Sequence, residues 1–391
     1  MPTWRRPPLT SRASTPGLVS GRESDANGGG EAVMRWLNQG LRIPLEYFAI
    51  LRITVGLGFL LYAANSVAQG WLRDGAGLSR YVDGLLRTPF PDPVFRAFLQ
   101  GVVLPNAGVF AVLVTLANAL VGLLLVLGLG TRLAAAAALL LGLGYWLAGG
   151  VMSPSNLPRS YLFMEIVVLL AVPGVVWGLD SRLLGRAPAW LVGSPRRFPL
   201  AELHAVGPLR GLGVSGFAAP LSYLALLRIG LGFSWLVGAT GLIMRDTATN
   251  PQFVLGSFEN YAKLGGRDPL TAAWFQLVAD HYRLFGPLIV AGELAAGILL
   301  LLGLGTRAGA LIAMWMSWNF HLLKGWGNLE SYYFDTWWFV CELLFFLTGA
   351  GLALGLDGVL RRYLPRALTG AEATDVVAPP GERVAAPLVG S

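Results

Sequence analysis

Leu127-Gly-Leu-Gly-Thr-Arg132 returns letter for letter as Leu302-Gly-Leu-Gly-Thr-Arg307, 175 residues further along the chain. Around this pair other fragments recur in the same order. Leu51-Arg-Ile53 is matched by Leu227-Arg-Ile229 and Asp92-Pro93 by Asp268-Pro269, each at an offset of 176, and Gly178-Leu-Asp180 by Gly355-Leu-Asp357 at 177. A biased composition supplies one such match by chance, but not four in one order at nearly one spacing. The chain is a tandem repeat, and every other reading follows from the unit that is repeated.

That unit is apolar. Of the 391 residues 54% are hydrophobic and 13% charged, about half the charge of an ordinary soluble domain. The mean hydropathy is +0.59. This excludes a soluble enzyme and a nucleic-acid reader, in spite of the net charge of +7. At about 20 residues per crossing, the apolar stretches predict eight spans, near 45–68, 104–128, 131–150, 160–178, 221–244, 284–304, 307–323 and 334–355. The expected fold is an all-α membrane protein, with eight transmembrane helices arranged as two four-helix bundles. Four spans per copy make the repeats parallel, since both copies enter the membrane in the same direction.

The domain plan is a disordered cytoplasmic tail over 1–40, repeat 1 over 41–180, a cytoplasmic linker over 181–220, repeat 2 over 221–365 and a flexible tail over 366–391. With both termini inside, the inner segments hold 17 Lys and Arg and the outer segments 10. Positive residues favour the cytoplasmic side, so the bias supports this orientation in a plasma membrane. In each long outer loop Asp92-Pro93 and Asp268-Pro269 predict the capped start of a short amphipathic helix.

The single cysteine, Cys341, and the three scattered histidines argue against a metal site, haem, an iron–sulfur cluster or any covalently held cofactor in this chain. The Gly-Leu-Gly-Thr-Arg turns lack the rest of a phosphate loop. They read as tight hairpins whose arginines reach the inner headgroups. Charges inside the spans cost about 2.5–3.5 kcal/mol each on insertion scales, so they need a partner or a task. In the second copy these are Arg228, Glu293 and Glu342, joined by His321; the first copy has Arg52, Asn118, Glu165 and Trp146 at the matching places. Arg228 and Glu293 lie close enough in height for an ion pair, and His321 and Glu342 are expected at one depth, able to pass a proton. Trp318, Tyr333, Trp337 and Trp338 form either an ordinary interfacial belt or an aromatic pocket for a quinone ring.

The Leu-Arg-Ile start, the acidic or amide residue in the second helix, the Leu-Gly-Leu-x-Thr-Arg turn and the closing Gly-x-Asp together resemble the DoxX/DoxD family. These are four-helix membrane proteins that include the membrane subunit of thiosulfate:quinone oxidoreductase. The resemblance covers Leu51–Asp180 and Leu227–Asp357. It implies an integral membrane subunit of a quinone-linked oxidoreductase, oxidising a small sulfur anion, with membrane or periplasmic partner subunits and no nucleic acid. In that reading Arg228 and Glu293 shape the site, His321 and Glu342 relay protons, and the aromatics hold the quinone. The alternatives are a non-catalytic scaffold of a larger membrane complex or, less favoured, a small-solute transporter. Asn118 departs from the family's acidic residue, so the second copy is expected to carry the function.

Overall fold

The computed structural model describes residues 40–87, 92–149, 158–325 and 335–371. The tail expected over 1–40 therefore lies outside the described residues except for Gly40, as does the second tail from residue 372 onward.

The helices follow the expected segments. The first copy comprises α1 (Glu46–Ala68), α2 (Ala76–Leu86), α3 (Pro93–Leu127), α4 (Thr131–Gly149) and α5 (Pro158–Ala171). The second comprises α6 (Leu221–Met244), α7 (Gln252–Gly265), α8 (Pro269–Asp280), α9 (Tyr282–Leu302), α10 (Thr306–Lys324) and α11 (Trp337–Thr348). Five of these, α1, α3, α4, α6 and α9, are long and apolar enough to cross a membrane, while α5 and α11 hold shorter apolar helices. On α3 the exposed side chains Leu113, Leu116, Leu120, Leu123 and Leu127 line up at helical spacing, with Thr115, Asn118 and Gly122 buried on the other side. Apolar out and polar in is what a lipid solvent selects. The chain is a multi-pass membrane protein.

Within each copy the first helix packs along the second long one, α1 on α3 and α6 on α9. Between copies the packing is reciprocal, because α6 lies against α5 and α11 against α1. Small residues permit it. Gly58 meets the indole of Trp337, and Gly230 the ring of Phe163, so closely that a Cβ on either glycine would collide with it.

Three features differ from expectation. The spans read over 160–178 and 334–355 stop being α-helical at Ala171 and Thr348, and continue as short 3₁₀ turns at Pro173–Val175 and Ala350–Leu352. The segment 181–220 is more than a connector, since it completes a three-stranded antiparallel sheet in the order β1-β3-β2, formed by β1 (Arg42–Pro44), β2 (Arg196–Arg197) and β3 (Phe217–Pro220). From there Ser215 N donates to Glu46 Oε1 at 2.6 Å, and His204 Nε2 lies 2.8 Å from the Thr348 carbonyl. The linker thus ties the first helix of copy one to the last helix of copy two. Finally, the expected capped helices begin as read, with Asp92 accepting from Val94 N and Phe95 N, and Asp268 from Leu270 N and Thr271 N. In copy two α8 ends before α9, whereas in copy one the matching helix runs straight into the second span through a π turn at Leu99–Val103.

Candidate functional site

The repeated hexapeptides sit at the turns that join α3 to α4 and α9 to α10, and the structure explains their glycines and threonines. Gly128, Gly130, Gly303 and Gly305 have φ values of 60, 58, 60 and 54°, in the left-handed region that glycine enters without strain. A Cβ on Gly128 would also collide with the guanidinium of Arg52, and one on Gly303 with that of Arg228. Arg52 donates to the carbonyls of Leu125 and Trp177 at 3.0 and 3.1 Å. Arg228 donates to those of Leu300 and Leu354 at 2.5 and 2.8 Å. Asp180 accepts from the backbone N–H groups of Gly130 and Thr131, and Asp357 from those of Gly305 and Thr306. Each arginine therefore meets the negative end of one helix, and each aspartate the positive end of the next. This is a structural clamp, made twice.

The expected Arg228–Glu293 pair does not form. A helical Cα–Cβ bond tilts toward the helix N-terminus, which on α6 is the end beside the Gly303–Gly305 turn, so Arg228 reaches toward Leu300 and away from Glu293. Glu293 lies seven residues, about 10 Å, further up α9. Its Oε2 is enclosed with no hydrogen-bond partner among the described residues, and it faces Gly238.

Glu342, wholly buried on α11, has definite partners. Ser317 Oγ lies 3.0 Å from its Oε2 and 3.2 Å from its Oε1, and Trp235 Nε1 donates to Oε1 at 3.0 Å. His321, one turn above Ser317 on α10, is not the direct neighbour expected. Glu342 meets Ser317, one turn nearer the start of α10 than a shared depth with His321 requires. His321 instead stacks on Trp318, with ring centroids 6.3 Å apart and planes 13° from parallel. Three residues further out, Lys324 forms an ion pair of 2.9 Å with Asp335, both largely buried. Lys324, His321 and Ser317 thus descend one face of α10 at steps of three and four residues toward Glu342.

The aromatics divide. Trp338 packs edge-on against Trp235 at 5.0 Å, beside Glu342, and its indole N–H has no acceptor among the described residues. Trp337 faces the other copy, 4.8 Å from the ring of Tyr161. Trp318 is 41% exposed, and Tyr333 lies outside the described residues.

Sequence reasoning missed both donors to Glu342 and the Lys324–Asp335 pair. The signal for the donors lay in the repeat itself. Ser317 and Trp235 stand where the first copy has Gly142 and Phe59, at offsets of 175 and 176. Glu165, the counterpart of Glu342, lies against Gly142 so closely that a Cβ there would collide with its carboxylate. Glu165 Oε2 is buried without a hydrogen-bond partner among the described residues. The two copies set their carboxyls at matching positions, and among the described residues only the second gives its carboxyl donors. Among the described residues no group of three or more His, Cys, Asp or Glu side chains is placed to hold a metal ion.

No curated protein and no solved structure matches this chain. The DoxD family model, described as the TQO small subunit, matches residues 47–185 and again 223–369. The two matched stretches coincide with the two clamped copies and together take up most of the chain, which belongs to the DoxD family.

Proposed function

We propose that the chain is the integral membrane subunit of a quinone-linked oxidoreductase, with its proton-handling centre at Glu342 in the second copy. The observation that carries this reading is the asymmetry between the copies: one buried carboxyl held by Ser317 and Trp235, and an equivalent one, Glu165, set against a bare glycine. A buried carboxyl with hydroxyl and indole donors exchanges a proton in a fixed geometry. His321 and the Lys324–Asp335 pair continue the polar line outward along α10. A quinone, when bound, accepts two electrons and two protons. The chain would meet it with the aromatic faces of Trp235 and Trp338 and the unpartnered Trp338 N–H. Trp318 extends this wall outward. Trp337, turned to the other copy, and Arg228, bound in the clamp, act on it only through the scaffold; Glu293, across from Gly238, is the remaining buried acid of the site. In this reading eight helices span a plasma membrane with both termini cytoplasmic. Membrane or periplasmic partner subunits deliver electrons from a small sulfur anion at the outer face.

The test uses membranes containing the chain with its native partners, with thiosulfate as donor and quinone reduction as readout. Glu342→Gln is expected to lower turnover at least 100-fold with normal protein levels, and Ser317→Ala to shift its pH profile. Glu165→Gln is expected to retain turnover. Equal damage from Glu165→Gln, or a Glu342→Gln protein that is merely less abundant, overturns the reading and favours a scaffold subunit.

A further inference from the structure

The outer half of the first copy holds a cavity of about 210 Å³ between α2, α3 and α4, among whose lining residues are Trp71, Val82, Leu99, Val103, Tyr145 and Ala148. Three independent features of the first copy make it. One is side-chain size. Val82, Gly144 and Ala148 stand where the second copy has Phe258, Asn319 and Leu323 at offsets of 176, 175 and 175. In the second copy that space is taken by Phe258 packed on Phe320, with centroids 5.7 Å apart.

Another is the backbone. The repeat offset is 176 at Asp92 and 175 at Leu127, so the first copy carries one extra residue between them. It is accommodated as the π turn at Leu99–Val103, whose two end residues both line the cavity. A π turn is a local irregularity that recurs at functional sites.

The third is a small set of donors, Tyr145 and Trp71 with Tyr81 beside them, in a largely apolar wall. Asn118 Nδ2 donates to the Val114 carbonyl at 2.7 Å and to the Tyr145 hydroxyl oxygen at 2.6 Å. The carbonyl, which can only accept, fixes the orientation of the amide. Tyr145 therefore receives from Asn118 and keeps its own O–H to give. Its ring is held by stacking on Tyr62 at 5.5 Å. Trp71 is 7% exposed, and its indole N–H is enclosed without an acceptor among the described residues.

We infer that this cavity binds a neutral, ring-sized apolar molecule bearing carbonyl oxygens, which accept from Tyr145 and Trp71. Size sets the class, since an apolar cavity of about 150 Å³ already takes benzene. The space here suits a ring with substituents. The Tyr145 and Trp71 donors, in a lining with no charged residue, select acceptor oxygens on a neutral frame, the chemistry of a quinone or aryl ketone. The site is separate from Glu342 and does not rest on it.

The experiment is equilibrium dialysis of the full chain in detergent micelles against menadione, decylubiquinone and palmitate, without an electron donor, so that binding is read whether or not Glu342 supports turnover. One ring molecule per chain is expected. The double variant Gly144→Asn/Ala148→Leu, which imports the second copy's residues, should weaken it at least tenfold, and Tyr145→Phe about tenfold. Should the double variant not fold, Val82→Phe fills the cavity from α2 with the same expectation. Tighter binding of decylubiquinone than menadione, both weakened by the variants, supports a membrane quinone as the occupant; equal binding supports a tail-free ring compound. Binding unchanged in the filled and Tyr145→Phe variants overturns the inference. So does displacement of menadione by equimolar palmitate, which marks an acyl-chain groove.

Discussion

Arg52 and Arg228 are both fully enclosed, yet each finds its charge balanced by helix-end carbonyls and a nearby aspartate. Removing one member of such a buried arrangement costs about 3–5 kcal/mol. Arg52→Met and Arg228→Met should therefore destabilise the protein by similar amounts, read as loss of resistance to unfolding in SDS. An Arg228→Met protein of normal stability that lacks turnover would return Arg228 to the reactive centre. These residues were legible in the sequence because the clamp has fixed chemical needs: glycines where φ is positive, one arginine, one aspartate. Its purpose was less legible. A charge inside a span suggests another charge as partner, and backbone carbonyls leave no mark on a sequence. The donors to Glu342 were hidden for a related reason, since a serine and a tryptophan among apolar residues look like packing.

Along the elements, the readable quantities were length and capping, and the obscure ones were irregularities. Strands of two to four residues, two of them ending in proline, give no alternating pattern, so the small sheet was invisible. The π turn showed only as a slip of one in the repeat offset. Gly101 within it has open space around its Cα. Deleting Gly101 should convert the turn to α-helix, and hydrogen exchange of the Val102, Val103, Leu104 and Asn106 amides should slow; unchanged exchange would mean that the turn is not caused by the extra residue. The start of α8 makes a separate prediction. The Thr271 hydroxyl, together with backbone N–H groups, holds the Asp268 carboxyl below the ordinary aspartate range. A carboxyl lowered on folding contributes stability above its unfolded value and loses it as pH falls through the folded one. The protection of the first-turn amides of α8, with exchange corrected for its intrinsic pH dependence, should thus stay constant on acidification until the pH drops below the usual aspartate range. Thr271→Val should move the onset upward.

For the molecule as a whole, the repeat parity and the 17-to-10 distribution of basic residues predict the topology. Cysteines engineered in 75–90 and 255–265 should react with an impermeant reagent applied from outside, and those in 185–200 should not; labelling of 185–200 in intact cells would overturn the orientation. Under this plan the two copies agree at their inner ends and differ at their outer ends. The inner turns keep the same hydrogen bonds in both copies, while the outer halves differ in which space is filled and which carboxyl is served. The clamp also sets an order of events during synthesis. Arg52 leaves the ribosome early, but the Trp177 carbonyl and Asp180 that complete its surroundings come more than a hundred residues later. Until the fourth segment of a copy has been threaded into the bilayer, its first segment carries an uncompensated cation. Each copy thus closes like a knot drawn tight by its last segment.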